Sequence, residues 1–125
     1  MLLLATAAAK ALDLPGMATI VDDYRLVPAA LARPAAVAVT LCEATVGVLL
    51  LGRHSRVLGS LASAMMHLVY FGWSGLALAR GLSIANCGCF GTVWPRPLSE
   101  ITLIEDVVLI ALSLWLALHY RAARR

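Results

Sequence analysis

Residues 57–79 read VLGSLASAMMHLVYFGWSGLALA, and these 23 positions contain no Asp, Glu, Lys or Arg. A helix of that length crosses the hydrocarbon core of a bilayer, which takes roughly 20 apolar residues. The segment therefore predicts a membrane-spanning helix. The small polar side chains inside it are expected to face neighbouring helices, where hydroxyl groups form interhelical hydrogen bonds.

Two other segments predict spanning helices of the same kind. Ala35–Leu51 is apolar apart from a few polar residues, and the region of Leu31, before Pro34, extends it. Ile101–Tyr120 is apolar after an acidic start. Each segment is close to the length that a bilayer requires, so the chain is predicted to cross the membrane at these three places.

A fourth, shorter helix is predicted at the N-terminus. Met1–Leu12 is almost all Leu and Ala, but its apolar run before Lys10 is too short to span a bilayer. It also lacks the basic start and the small-residue cleavage site of a signal peptide. Pro15 and Gly16 are expected to end this helix. The predicted fold class is all-α, an integral membrane four-helix bundle with a short first helix, in one transmembrane domain over residues 1–125.

The composition excludes most classes of soluble protein. Hydrophobic residues make up 62% of the chain and charged residues 14%, with a mean hydropathy of +0.88, whereas soluble domains average about 25% charged residues. A small soluble domain needs polar residues over a large exposed surface, and this chain lacks them. The net charge of +3 does not indicate nucleic-acid binding, because the basic residues are scattered and form no stripe. The sequence therefore predicts a lipid bilayer, and no nucleic acid, as partner.

The distribution of charge between the loops predicts the orientation. With four spans, one side of the membrane carries basic residues without acidic ones: Arg53, Arg56, Arg121, Arg124 and Arg125. The opposite side carries both signs: Arg25, Arg33, Arg80, Arg96, Asp13, Asp22 and Asp23. Because basic loops tend to stay in the cytoplasm, the first side is expected there. The loop at residues 81–97 is then expected to face outward from a bacterial cytoplasmic (inner) membrane.

Residues 86–91 read NCGCFG and carry the strongest chemical signal in the chain. Cys87 and Cys89 flank one glycine, which allows the backbone to bend until the sulfurs come within reach of a disulfide. So small a ring is strained, and strained disulfides exchange readily with other thiols. Arg80 and Arg96 are expected to favour the thiolate. The pair is therefore a candidate catalytic dithiol, in which one cysteine forms a mixed disulfide and the other resolves it.

Three other roles for this pair stay open. A fixed disulfide would staple the loop, although so short a ring stabilises a fold little. A soft-metal carrier, for Cu or Hg, would use both thiolates and need further ligands; the candidates Cys42, Met65 and Met66 lack a persuasive ligand spacing, so no metal site is predicted. A non-catalytic assembly subunit would tolerate serine at both cysteines but not larger residues at Gly72 and Gly75.

Glu43 is a second candidate, because a carboxylate inside a span costs about 2.5–3.5 kcal/mol on insertion scales and usually has a function. Thr40, Glu43 and Gly47 are spaced i, i+3, i+7 and share one helix face, which is expected to point into the bundle. Glu43 is then a proton acceptor, the anchor of a polar network, or the internal partner of Lys10 that joins the first helix to the second.

His67 belongs to a polar stripe on the third span, formed with Ser60, Ser63 and Ser74. The stripe indicates either a proton relay or ordinary interhelical hydrogen bonding. Asp106 is expected to lie deep enough to join the same polar interior. Glu105 instead suits the positive end of the last helix, with Ser99 as its predicted N-cap.

The order of these features along the chain resembles that in the MauE branch of the MauE/DoxX-like small membrane proteins. Lys10 follows a small-residue helix, and residues 23–28 (DYRLVP) resemble the tyrosine-to-proline segment between the first two helices of that family. Glu43 resembles the glutamate of its second helix. The most specific match is Arg80 and Gly81 followed by CGCFG, in which three residues support the two cysteines: Gly88, Phe90 and Gly91.

The resemblance implies a membrane bundle that takes part in thiol–disulfide chemistry. Family members from methylamine-utilisation systems are required for maturing a disulfide-rich dehydrogenase subunit, alongside a thioredoxin-like protein. The resemblance thus implies that Cys87 and Cys89 exchange disulfides with a thioredoxin-like extracytoplasmic partner, as a thiol–disulfide oxidoreductase in which Glu43 and His67 handle protons. By fold-level analogy with other four-helix membrane proteins that generate disulfides, a membrane quinone is expected as electron carrier.

Overall fold

The computed structural model describes residues 1–123, so Arg124 and Arg125 of the charge count lie outside the described residues. Residues 1–123 contain five helices and no strand: α1 (Leu2–Ala11), α2 (Leu14–Asp23), α3 (Ala29–Leu51), α4 (Arg56–Ala79) and α5 (Glu100–Ala122). The all-α prediction is confirmed. The number of helices differs from the four that were predicted, and the difference lies at the N-terminus.

Three of the helices are long and apolar enough to cross a membrane. They are α3, α4 and α5, with 23, 24 and 23 residues. All three predicted spans are present, and α3 begins at Ala29, six residues before Ala35 and two before the Leu31 region that was expected to extend it, so that Pro34 lies inside the helix. A proline there removes one backbone hydrogen bond close to the helix start and leaves the rest of the helix intact. The chain is accordingly a multi-pass membrane protein.

The prediction that Pro15 and Gly16 end the first helix is wrong. Helix α1 ends at Ala11, and Pro15 lies in the first turn of α2. A proline costs no hydrogen bond in a first turn, where backbone N–H groups have no helical partner. Asp13 caps α2 by accepting a hydrogen bond from the Gly16 N–H at 2.9 Å. The predicted short helix is thus one arm of a bent pair, α1 and α2, which meet at 101° and together have the length of a broken span or re-entrant segment.

Helix α3 is the centre of the packing. It contacts α1, α2 and α4, and α4 contacts α5 extensively. Helix α1 packs closely on α3 because Gly47 lets Leu4 approach; a Cβ at position 47 would lie 2.7 Å from the Leu4 side chain. Within residues 1–123, α1 and α5 make no contact with each other. The helices therefore form an open arc in which α1 and α5 flank a gap.

The interior between the helices contains both an apolar cluster and buried polar side chains, and the outer surface is apolar. Ala36, Ala77 and Ser60 are fully buried, and Glu43 is 1% exposed. Large apolar side chains point outward instead, among them Leu41, Leu61 and Leu118. This distribution suits a protein surrounded by lipid, where small residues let helices approach and charges face inward. Added Cβ atoms at Gly72 and Gly75 would meet no atom closer than 3.8 Å within the chain.

The connection between α4 and α5 folds back onto one end of the bundle. Two backbone hydrogen bonds join its two arms. The Cys87 N–H donates to the Arg96 carbonyl at 2.7 Å, and the Leu98 N–H donates to the Ile84 carbonyl at 2.9 Å. The Tyr24 hydroxyl, at the end of α2, donates to the Cys87 carbonyl at 2.8 Å. The cysteine motif is therefore held against the bundle by backbone contacts.

Candidate functional site

The cysteine motif forms a tight turn whose shape depends on glycine. Gly88 and Gly91 have φ values of +80° and +59°, a left-handed conformation that side chains disfavour. Asn86 closes the turn by accepting from the Gly88 N–H and donating to the Gly91 carbonyl, both at 3.0 Å. This turn presents the two cysteine side chains on the same side.

The sulfur atoms of Cys87 and Cys89 lie 2.8 Å apart and are not bonded to each other. Cys87 is buried at 8% exposure, whereas Cys89 is partly exposed. The pair is thus a dithiol in which a small movement would bring the sulfurs to bonding distance. Cys89 is the sulfur that a second molecule reaches more easily.

The two thiols differ in acidity because the hydrogen bond between them favours the thiolate form of one and the thiol form of the other. The pKa of Cys87 is lowered to about 6, chiefly by the hydrogen bond from Cys89 and also by the charge of Arg96, against the opposing effect of burial. The same hydrogen bond, followed by burial, raises the pKa of Cys89. The reduced pair therefore holds one thiolate, centred on Cys87, and one thiol, on Cys89.

Arg96 and Arg80 were both expected to favour the thiolate, and the structure places only Arg96 beside the sulfurs. Glu105 orients Arg96 through two hydrogen bonds of 2.9 and 2.6 Å. The Arg96 Nε is buried and lacks a hydrogen-bond partner within residues 1–123. Arg80 is exposed and donates to the Arg25 carbonyl. Glu105, interpreted from the sequence as a helix-end charge alone, is thus the residue that holds Arg96.

A buried ion pair lies directly beneath the turn. Lys10 Nζ is 2.7 and 2.8 Å from the two carboxylate oxygens of Glu43 and also donates to the Cys89 carbonyl at 3.0 Å. Glu43 further accepts from Thr6 at 3.0 Å and from Tyr70 at 2.6 Å. Two of the roles considered for Glu43, internal partner of Lys10 and anchor of a polar network, have direct contacts. The cluster joins α1, α3, α4 and the cysteine turn.

Sequence reasoning missed Tyr70 as part of this cluster. Its only signal was its position three residues after His67, one helical turn along the same face of the span. The rings of His67 and Tyr70 meet edge to face with centroids 5.9 Å apart.

A second polar cluster joins α4 to α5. His67 Nδ1 lies 3.3 Å from an Asp106 carboxylate oxygen, and the Ser63 and Ser113 hydroxyl groups are 2.9 Å apart. All four stripe residues on α4 are buried, and the Ser60 hydroxyl has no partner within residues 1–123. Ser99 occupies the N-cap position of α5 but makes no side-chain capping bond. The polar stripe therefore serves in part as an interhelical hydrogen-bonding surface.

The alternative role as a soft-metal carrier requires further ligands near the two sulfurs of the turn. Cys42 is exposed on α3, away from the buried face that carries Glu43. Within residues 1–123, no three side chains from His, Cys, Asp and Glu are grouped so as to hold a metal ion. The two sulfurs of the turn thus have no third ligand of these types in the described part of the chain.

A cavity of about 420 Å³ brings the two polar clusters and one thiol together. Its lining includes Glu43 and Tyr70 from the first cluster, His67 and Asp106 from the second, and Cys89 from the turn. A smaller cavity of about 150 Å³ is lined by both cysteines. Cys89 is therefore the cysteine common to both cavities.

Comparison with known proteins gives two matches. The family described as methylamine utilisation protein MauE matches residues 1–119. The chain is also 28% identical over 123 residues to the methylamine utilization protein MauE of Paracoccus denitrificans, covering 98% of this chain and 66% of that protein. The chain thus spans slightly less than two thirds of the length of this relative. No solved structure matches.

Proposed function

The chain belongs to the MauE family of membrane proteins, and from this premise we propose that Cys87 and Cys89 exchange disulfides with a thioredoxin-like protein outside the cytoplasm. The observation that carries the proposal is the pair of sulfurs 2.8 Å apart beside the charge of Arg96. Thiol–disulfide exchange needs two thiols within reach of each other, one of them as a thiolate. The turn meets both requirements.

The exchange is a pair of substitutions at sulfur. In the direction that oxidises the partner, a partner thiolate attacks Cys89 of the Cys87–Cys89 disulfide, and that bond breaks. Cys87 leaves as a thiolate, which its low pKa favours. The second partner thiolate then attacks the partner sulfur of the mixed disulfide and releases Cys89, which takes up a proton. Two electrons pass from the partner's dithiol to this chain, and the reverse steps reduce the partner.

We place the turn on the outer face of a bacterial cytoplasmic membrane. The end of the bundle opposite the turn carries the arginine residues of the α3–α4 connection and of the α5 C-terminus. These two parts meet, since the Arg56 guanidinium lies 5.5 Å from the centre of the Tyr120 ring. A basic end favours the cytoplasm. The turn, at the other end, then meets extracytoplasmic partners.

The name of the Paracoccus denitrificans relative assigns that protein to methylamine utilisation. For this chain we propose the more general role of supporting disulfide formation, and hence maturation, in an exported protein. The proposal concerns the chemistry of the turn and does not depend on the identity of that exported substrate.

Thiol trapping in native membranes tests this function. Acid-quenched membranes would be denatured and treated with an alkylating mass tag before and after reduction, with Cys42 contributing one constant tag. We expect part of the population to gain two tags on reduction, and we expect that fraction to change when the thioredoxin-like partner is deleted. A Cys87→Ser, Cys89→Ser double variant should insert normally and lose the exchange. Undiminished partner oxidation by that variant, or a disulfide that resists strong reductant, contradicts the proposal.

A further inference from the structure

The gap between α1 and α5 is an apolar opening beside the cysteine turn. These two helices make no contact within residues 1–123, and the cavity of about 420 Å³ lies between them. Leu2 and Leu3 line it from α1, and Ile101, Ile104 and Val108 line it from α5. The volume falls within the range of about 300–1,000 Å³ that is usual for small-molecule sites.

The mouth of this cavity faces the surroundings of the bundle. Leu2, Ile101, Ile104 and Val108 are all exposed, and α5 is one of the helices with the length and hydropathy of a membrane span. In a bilayer, exposed apolar residues on a spanning helix contact lipid chains. A molecule that enters from the lipid between α1 and α5 must therefore be soluble in the membrane.

The inner end of the cavity is polar and redox-active. His67 and Tyr70 bring groups that donate or accept hydrogen bonds, and Glu43 and Asp106 bring carboxylates. Cys89 also lines this end, whereas Cys87 does not. An apolar passage that ends at hydrogen-bonding groups and a thiol suits a molecule with an apolar body and a polar, reducible head.

The geometry points to a lipophilic quinone as the substrate of this cavity. This inference rests on the proposed function, which leaves the Cys87–Cys89 dithiol reduced after each partner is oxidised. Reoxidation of this thiolate–thiol pair removes two electrons and the one proton held by Cys89, and it forms the S–S bond. A quinone accepts both electrons and takes up two protons at its two oxygens, one from Cys89 and one from water, and leaves as the quinol, so the step balances.

Rates of quinone reduction test this inference. The full chain, purified in detergent and reduced, would be mixed anaerobically with decylubiquinone, and quinol formation would be compared with thiol loss. We expect one quinol for each pair of thiols lost. A reduced protein that exchanges disulfides with thioredoxin but leaves the quinone unreduced overturns the quinone site alone. Failure of the thioredoxin exchange itself overturns the proposed function.

Two tryptophan variants on α5 distinguish an effect within the cavity from an effect on the lipid-facing surface in general. Ile104 lines the cavity and is 62% exposed, while Leu118 is 67% exposed and does not line it. Ile104→Trp should fill the passage and slow quinone reduction by about tenfold, which corresponds to about 1.4 kcal/mol. Leu118→Trp should leave the rate unchanged, and both variants should keep the exchange with thioredoxin. Equal rates in the two variants overturn the inference.

Photolabelling of the unmodified chain gives an independent result if Ile104→Trp does not insert. An azidoquinone would be activated by light and the labelled peptides mapped. We expect label on α1 and on the first half of α5, and excess decylubiquinone should prevent it. Label that is spread over the outer faces of the helices, or that excess decylubiquinone does not reduce, overturns the inference in favour of nonspecific contact with lipid-facing surface.

Discussion

Lys10 and Glu43 form an ion pair of 2.7 Å across 33 positions of sequence, and each residue is at most 2% exposed. The pair carries its own hydrogen bonds, because Glu43 accepts from two hydroxyl groups and Lys10 donates to the Cys89 carbonyl. A buried ion pair is tolerated when such bonds satisfy both partners. The cysteine turn is thereby tied to a charged centre inside the bundle.

Breaking this pair on one side is expected to be more harmful than removing it completely. Lys10→Met or Glu43→Gln should each destabilise the protein by about 3–5 kcal/mol, because the remaining group is left buried and unpaired. The double variant should lose less than the sum of the two. Denaturant unfolding in detergent measures these differences, with Asp23→Asn on the exposed end of α2 as the control. Strictly additive effects would contradict a direct interaction.

The reactivity of Cys87 should depend on pH in a way that identifies its neighbours. A thiol with a pKa of about 6 is mostly thiolate at neutral pH, so alkylation of the reduced protein should fall as the pH drops through that value. Cys89→Ala removes the hydrogen bond that lowers this pKa most and should move the midpoint of the alkylation profile upward.

Arg96→Gln should move the same midpoint upward by less, because its charge is a smaller cause of the shift. Arg80→Gln is the matched control, since Arg80 is exposed and bonded to the Arg25 carbonyl. The rate of iodoacetamide labelling against pH gives all three midpoints. Equal shifts for Arg96→Gln and Arg80→Gln would show that only the general charge of the loop matters.

The cysteine turn should not accept a side chain at position 88. Gly88→Ala must hold a φ of +80° and place its Cβ 2.9 Å from the Ile20 side chain. Gly81→Ala has a similar φ of +70° but open space around it, so it should cost only the conformational penalty of about 1–2 kcal/mol. Gly88→Ala should cost more and slow the reaction with a small aromatic disulfide reagent. Identical behaviour of the two variants would contradict close packing of the turn against α2.

Tyr70 should stabilise the bundle through its hydroxyl group. Tyr70→Phe keeps the ring beside His67 and removes a 2.6 Å hydrogen bond to a charged acceptor, which is worth about 1.5–3 kcal/mol. Tyr120→Phe keeps the ring beside Arg56 at the other end of the bundle and should be nearly neutral. Unfolding of both variants in detergent makes the comparison. A neutral Tyr70→Phe would mean that Lys10 and Thr6 alone satisfy Glu43.

From the amino-acid sequence alone we could predict the three spanning helices, the inward face of α3 and the cysteine motif. These features are local: an apolar run of about 20 residues, a helical spacing and a six-residue pattern need no information from the rest of the chain. The bent pair of α1 and α2 could not be predicted in the same way. Pro15 and Gly16 are compatible with a helix start as well as with a helix end. Whether they begin or end a helix depends on the capping of α2 by Asp13.

Which of the candidate polar contacts form depends on the tertiary fold. It placed Lys10 on Glu43, put Arg96 rather than Arg80 beside the sulfurs, and added Tyr70 to the site. It also left α1 and α5 apart, which opened the cavity that reaches Cys89. The physical reason is that ion pairs and cavities depend on the relative rotation and tilt of helices. Packing of small residues against partners far apart in sequence fixes those angles, as Gly47 against Leu4 illustrates.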